Sequence, residues 1–223
     1  MKVKRILVIA PHPDDETLGV GGMMAKYSSM GCEIKVLIVS GHLPPLYNRE
    51  DYDKTVQEAK EAFKILGVNH SSFLEIPATM INTISVNDLN RKINQVVCDF
   101  QPHMVFCPYP DRHIDHRLVF DSAMVATRPV GVGRKIEIIA AYETLSETHW
   151  NAPHIEPNFT PNWVIDITEH IDIKLQALKC YKSQISDFPS PRSIEAAEAL
   201  AKFRGTQAGF GFGEGMHIIR KIS

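Results

Sequence analysis

The sequence lacks the features that mark several classes of protein. Its formal net charge is -2 and no stripe of lysine and arginine is present, so it has no clustered basic surface of the kind that binds nucleic acid. No apolar run reaches the length of a membrane-spanning helix. The cysteines are few, far apart and without a C-x-x-C pair, and we expect them to be buried free thiols: Cys32, Cys98, Cys107 and Cys180.

The apolar segment near the start of the chain is too short for a secretory signal, because Pro11 and a run of acids interrupt it. We therefore expect a cytoplasmic protein with no stable membrane insertion. A composition of 44% hydrophobic and 22% charged residues is that of a globular protein rather than a disordered one. A length of 223 residues suits one domain over 1–223.

Apolar runs typical of strands alternate with amphipathic runs typical of helices. The predicted strands lie at 4–10, 33–40, 71–76 and 104–108, and the predicted helices between them at 17–30, 51–66 and 86–100. This alternation predicts an α/β fold with a mainly parallel sheet flanked by helices. Beyond residue 128 the pattern weakens, with further strands expected at 136–143 and 162–168, helices at 169–184 and 193–204, and one short strand in the glycine-rich ending.

Two polar clusters follow strands of the predicted sheet. The segment PHPDDE, residues 11–16, follows the first strand, and DRHIDHR, residues 111–117, follows the strand MVFCP. Loops at the carboxyl ends of parallel strands gather at one edge, so we expect the clusters to meet there. Their aspartates would repel one another without a cation, which indicates a metal site.

Two imidazoles and one carboxylate, with a position left for water, form a recurrent catalytic zinc site. We assign His12, Asp15 and His116 as the metal ligands. Asp14 is then available as a general base, and His113, held in its protonated form by Asp115, could stabilise an oxyanion and protonate a leaving amine. These parts together predict amide hydrolysis.

Neighbouring polar residues have simpler interpretations. Glu16 is expected to serve the amino end of the following helix. Asp111 and Arg112 could equally be a surface ion pair or part of the site. The other histidines, each taken alone, are expected to be ordinary solvated or hydrogen-bonded residues.

The motifs PHPDDE and HIDH, residues 113–116, resemble those of the PIG-L or LmbE-like metal-dependent deacetylases. The segments TVQEAKEAFKILGV, ITEHIDIKLQALKCYKSQ and GEGM are also similar to that family. The resemblance implies a Rossmann-like α/β fold. It also implies the same ligands and base, with His113 stabilising the tetrahedral intermediate and Asp115 orienting it. Substrates of the family carry N-acetylglucosamine on lipids, thiol precursors or other glycosides.

The substrate side departs from the family pattern. Many relatives have an arginine where this chain has Thr55, and Arg49 or Lys54 could substitute for it. An acidic residue that binds sugar hydroxyls is missing after the third strand, where Asn82 is the nearest polar candidate. Aromatic side chains that could form a wall against the sugar are Tyr47, Trp150 and Tyr181.

We therefore predict a zinc-dependent N-deacetylase, with Fe2+ possible in place of Zn2+, that acts on a small N-acetylated amino sugar or sugar conjugate. A homo-oligomer is possible. Two alternatives stay open: a metal-dependent hydrolase of phosphoesters, which would normally need a second metal, and a non-catalytic carbohydrate-binding module.

Overall fold

The computed structural model describes residues 4–152 and 154–222. Its seven-stranded sheet has the order β3-β2-β1-β4-β5-β7-β6. The strands are β1 (Arg5–Ala10), β2 (Glu33–Gly41), β3 (His70–Pro77), β4 (Met104–Pro108), β5 (Ile138–Tyr142), β6 (Trp163–Asp166) and β7 (Gly213–Lys221). The first five strands pair in parallel, whereas β7 is antiparallel to both β5 and β6. The predicted α/β fold with a mainly parallel sheet is confirmed.

Helices cover both faces of this sheet. They are α1 (Asp15–Ser29), α2 (Arg49–Leu66), α3 (Val86–Phe100), α4 (Ile114–Ala126), α5 (Leu145–Thr148), α6 (Ile171–Leu178) and α7 (Ile194–Thr206). Alternate side chains of β1 enter different cores: Ile6 and Val8 pack with α1, α2 and α6, while Leu7 and Ile9 pack with α3 and α4. This explains why β1 is a continuous apolar run. No described helix combines the length and apolarity needed to cross a bilayer.

The largest departures from the sequence prediction lie in the second half. The helix expected over 169–184 ends at Leu178. The glycine-rich ending forms a nine-residue strand inside the sheet rather than a short one. Its glycines allow close approach of neighbours, because a Cβ at Gly213 would lie 2.6 Å from Val164 Cγ1 and one at Gly215 would lie 2.9 Å from Glu143 Oε1.

Helix α1, which begins inside the PHPDDE cluster, is broken at Val20, where φ is -138° and ψ is 22°. The backbone groups freed by this break are satisfied from outside the helix. Glu214, on β7, accepts hydrogen bonds from Gly22 N (2.8 Å) and Met23 N (2.7 Å). Lys174 Nζ donates to Leu18 O at 2.8 Å and to Glu214 at 2.7 Å. A buried ion pair therefore fixes the helix that carries Asp15.

Candidate metal centre and active site

The two polar clusters meet at the carboxyl edge of adjacent strands. Strands β1 and β4 pair directly, and the PHPDDE and DRHIDHR segments follow them. Each loop passes into a helix, with Asp14 preceding α1 and His113 preceding α4. The expected meeting of the clusters is thus observed, and it follows from parallel pairing.

His12, Asp15 and His116 converge within this edge. His12 Nδ1 lies 3.1 Å from Asp15 Oδ2, and His116 Nε2 lies 3.3 Å from the same oxygen. Their candidate ligand atoms all lie within 4.8 Å of one another. Asp15 and His116 are fully buried, whereas the side chain of His12 is 15% exposed. The group is therefore open to solvent only on the His12 side.

Both histidines of this group are oriented by a second carboxylate. His116 Nδ1 lies 3.0 Å from Asp111 Oδ2, and His12 Nε2 lies 2.9 Å from Asp115 Oδ2. With a proton on each of these outer nitrogens, the other ring nitrogens, Nε2 of His116 and Nδ1 of His12, are left to face Asp15. Metal-binding histidines are commonly held in this way by a carboxylate.

Asp111 is buried and has three partners. It accepts hydrogen bonds from Thr148 Oγ1 at 2.8 Å and from His113 N at 2.9 Å, in addition to its contact with His116. Its side chain is therefore part of the site and does not form a surface pair with Arg112. Arg112 lies instead 3.6 Å from Glu147 Oε2.

The donor set fits a divalent cation. Asp15 Oδ1 and His116 Nε2 are buried and have no hydrogen-bond partner among the described residues, and such orphaned atoms are costly unless a ligand satisfies them. Two nitrogens and one carboxylate suit zinc. A second group, His12, His113 and Asp115, also comes close together. The two groups share His12, so they do not offer two independent three-ligand sites.

Electrostatics in the metal-free site hold protons on the ligand histidines. Burial alone would lower the pKa of His12, but its hydrogen bonds to Asp115 and Asp15 raise it to about 9. Burial likewise opposes the charged form of His116, yet Asp15 and Asp111 raise its pKa to about 10. The two imidazoles keep the pKa of Asp15 well below its usual value despite burial. A bound cation would displace a proton from this group.

Asp14 lies beside the group with an unused carboxylate oxygen. It is 1% exposed, and its Oδ2 has no hydrogen-bond partner among the described residues. Its backbone has φ 118°, a region rarely occupied by residues other than glycine, and such strain is typical of functional sites. Burial raises the pKa of Asp14 to about 7, although nearby Arg192 opposes the shift.

Glu16 supports the backbone of Asp14. Its Oε2 accepts a hydrogen bond from Asp14 N at 3.2 Å, which agrees with the expected role at the amino end of α1. The hydroxyl of Tyr181 donates a short hydrogen bond to Glu16 Oε1. Tyr181 is fully buried, so its prediction as a sugar contact is wrong. It acts through Glu16 on the loop that carries Asp14.

His113 differs from the prediction in its hydrogen-bond partner. The carboxylate of Asp115 contacts His12 and accepts a hydrogen bond from Thr79 N at 2.7 Å, rather than holding the His113 ring. His113 Nδ1 instead accepts a hydrogen bond from Asp115 N at 3.1 Å, as the cap of α4. Burial and the charges of His12 and His116 lower its pKa to about 4. Because Nδ1 accepts the hydrogen bond from Asp115 N, Nε2 is the ring nitrogen that carries the proton in the neutral imidazole.

A cavity of about 80 Å³ opens next to these residues. Tyr47 lines this cavity, in agreement with its expected place in a wall against the sugar. Thr55, which stands where many relatives have an arginine, lines it as well. Arg49 is instead bound by Asp53 and Glu75, each at 2.9 Å. Lys54, Asn82 and Trp150 are exposed and are not among the described residues that line the cavity.

Two further residues of the cavity wall are absent from the sequence prediction. Arg192 and Gln184 come from the connection between α6 and α7, and both line the cavity. Arg192 Nε lies 3.8 Å from Asp14 Oδ2. The serine- and proline-rich sequence around them carries no motif, and the only available signal was one arginine in a long predicted loop.

Residues 7–127 match the model of the PIG-L family, described as GlcNAc-PI de-N-acetylase. The chain belongs to this family. It is 25% identical over 238 residues to the diacetylchitobiose deacetylase of Thermococcus kodakarensis, covering 99% of this chain and 85% of that protein. The predicted family and the predicted class of reaction, N-deacetylation by a hydrolase, are therefore confirmed.

Solved structures show the same fold. The N,N'-diacetylchitobiose deacetylase from Pyrococcus horikoshii superposes with a TM-score of 0.78 at 24% identity, covering 98% of this chain and 84% of that chain. GalB, the 4-carboxy-2-hydroxymuconate hydratase of Pseudomonas putida, has a TM-score of 0.79 at 20% identity, covering 99% and 98%. A hydratase therefore has this fold too, so the fold alone does not determine the reaction.

Proposed function

We propose that this protein is a metal-dependent N-deacetylase that hydrolyses the acetamide of an N-acetylated amino sugar or sugar conjugate of the N-acetylglucosamine type. The observation that carries this proposal is the carboxylate oxygen of Asp14 that has no hydrogen-bond partner among the described residues. It lies beside the group His12, Asp15 and His116, and Asp14 lines a cavity. Membership of the family and the similarity to diacetylchitobiose deacetylase support an amino sugar as the substrate.

His12, Asp15 and His116 would hold the metal ion, for which Zn2+ is our first choice and Fe2+ the alternative. When bound, such an ion supplies Lewis-acid chemistry, polarising a carbonyl oxygen and lowering the pKa of water. Asp111 and Asp115 act through the two histidines, fixing the ring nitrogens that face the ion.

Asp14 moves the proton in this reaction. Its carboxylate takes a proton from the attacking water, whose oxygen forms the new bond to the acetyl carbon. The C–N bond then breaks, and Asp14 returns the proton to the amine nitrogen, which yields acetate and a free amine. A buried carboxylate with an oxygen that has no hydrogen-bond partner among the described residues suits a group that is first a base and then an acid.

His113 donates a hydrogen bond to the carbonyl oxygen from Nε2–H as negative charge develops there. The neutral ring can do this because Asp115 N occupies Nδ1 and leaves the proton on the other nitrogen. The sequence alone assigns the protonation of the leaving amine to His113. In the proposed mechanism, Asp14 has this role instead.

The test is acetate release from a panel of N-acetyl sugars, measured with and without a chelator. We expect release that the chelator abolishes and that added zinc restores. A parallel assay for phosphate release from nitrophenyl phosphate addresses the phosphoesterase alternative. Chelator-insensitive acetate release, or phosphate release without acetate release, would contradict the proposal.

Three further properties are part of this proposal: one domain over 1–223, a small-molecule partner with possible homo-oligomers, and a cytoplasmic location. Limited proteolysis, light scattering and cell fractionation test them separately.

A further inference from the structure

We propose that Arg192 forms a subsite for a negatively charged substituent, a phosphate or a carboxylate, carried by the N-acetyl sugar. This inference rests on the proposed function and narrows its substrate class. It starts from the placement of Arg192, on the connection between α6 and α7, in the wall of the cavity that holds Asp14 and His113.

One edge of the Arg192 guanidinium is occupied. Its Nε donates a hydrogen bond to Ser146 Oγ at 3.2 Å and lies 3.8 Å from Asp14 Oδ2. Arg192 N also donates to Ser190 Oγ at 3.2 Å, which fixes the backbone before α7. The stem of the side chain is thereby directed into the cavity.

The other edge carries the two terminal nitrogens. Neither of them makes a hydrogen bond within 4–152 and 154–222. The side chain is 29% exposed, and it lines the cavity that Asp14 and His113 also line. An arginine fork with two free parallel N–H groups matches the two oxygens of a phosphate or carboxylate.

The remaining walls do not compete for this fork. Tyr47, Thr55, Thr79 and Gln184 are uncharged, and Asp14, the acidic residue of the lining, is on the Nε side and is reserved for proton transfer. Glu147 also influences the charge of Arg192, but its carboxylate lies near Arg112. A neutral sugar would therefore leave the terminal nitrogens of Arg192 without a charged partner.

The experiment compares Arg192→Met, Arg192→Lys and the unchanged protein, all loaded with zinc. The substrates are N-acetylglucosamine, its 1-phosphate, its 6-phosphate and N-acetylmuramic acid, so that phosphate and carboxylate are tested separately. The readout is the kcat/KM of each charged sugar divided by that of N-acetylglucosamine. This ratio cancels effects that Arg192 exerts on Asp14, because both substrates share that base.

We expect the unchanged protein to prefer at least one charged sugar, and Arg192→Met to reduce that preference roughly 10- to 100-fold. Arg192→Lys keeps the charge but lacks the fork, so it should recover only part of the preference. Arg91→Met is the matched control, because Arg91 is exposed on α3 and pairs with Asp88. Equal losses for charged and neutral sugars, or no preference in the unchanged protein, would overturn the subsite.

A binding measurement separates this inference from the proposed function. Glucosamine 6-phosphate and glucosamine 1-phosphate have no acetyl group, so calorimetry measures their affinity without turnover. Tighter binding of either than of glucosamine, lost in Arg192→Met, supports the subsite even if no deacetylation occurs. Deacetylation with no difference between charged and neutral ligands leaves the enzyme intact and refutes the subsite.

Discussion

Replacement of Asp111 by asparagine tests whether this buried carboxylate prepares His116 for the metal. Asp111→Asn preserves the shape of the side chain and keeps one acceptor oxygen, but it removes the charge that faces His116 Nδ1 at 3.0 Å. Thr148 Oγ1 and His113 N donate to different oxygens of Asp111, so the amide can accept from only one of them. The ring of His116 is held less firmly, and its Nε2 becomes a poorer ligand.

The magnitude follows from the hydrogen bonds involved. A hydrogen bond to a charged acceptor contributes about 1–1.5 kcal/mol more than one between neutral groups, which corresponds to roughly tenfold in affinity. Loss of orientation adds to this, so we expect zinc to bind roughly 10- to 100-fold more weakly. Thr148→Val removes one hydrogen bond to Asp111 but leaves the charge that faces His116, so it should weaken zinc binding by at most about 1 kcal/mol, or roughly fivefold.

The assay is competition for Zn2+ against a chromophoric chelator at neutral pH, with circular dichroism as the check on folding. Thr148→Val provides the graded control, because it alters Asp111 without changing its charge. Zinc affinity that is unchanged in a folded Asp111→Asn protein would refute the reasoning. So would a greater loss in Thr148→Val than in Asp111→Asn.

Three other predictions concern the base, the ligand histidines and the buried ion pair. Asp14→Asn should lower kcat/KM roughly 10²- to 10⁴-fold while metal analysis still finds bound zinc; loss of the metal would contradict the assignment. In the metal-free protein, the pKa values of His12 and His116 are raised to about 9 and 10 from 6.5. The protonated imidazoles therefore stabilise the fold, and this stabilisation is complete below pH 6.5. Urea unfolding should therefore show that the free energy of unfolding falls as the pH rises through 9 and 10. A free energy of unfolding that stays constant over this range would contradict a stabilising role for the two protonated histidines. Glu214→Ala leaves Lys174 buried without its partner and should cost about 3–5 kcal/mol in the same assay; a cost typical of a surface residue would show that the pair is dispensable.

The sequence was sufficient to predict an element where the bounds of that element depend on its own residues. Helix α3 has the predicted bounds because Ser85 caps it and because Leu89, Ile93 and Val97 recur on one buried face. The meeting of His12 with His116 was also predictable, since it needs only parallel strands and loops at their carboxyl ends.

The sequence was not sufficient where the position or contacts of a residue depend on a partner far away in the chain. Asp115 was expected to hold the ring of His113, but its carboxylate contacts His12 and the backbone of Thr79 on another loop. Arg192 enters the cavity from a connection without a motif. Strand β7 was predicted to be short because its glycines weaken strand propensity, while the neighbours that require them are far away in the chain.

The break in α1 makes the first and last parts of the fold depend on each other. The group of residues that would bind the metal begins with His12, and the break in α1 follows a few residues later. The carboxylate that accepts the hydrogen bond from Gly22 N at this break belongs to Glu214, 192 positions further along the chain. During synthesis the catalytic loop therefore emerges long before the strand that completes its support. Helix α1 therefore lacks the acceptor for two of its central amides, Gly22 N and Met23 N, until β7 lies between β5 and β6.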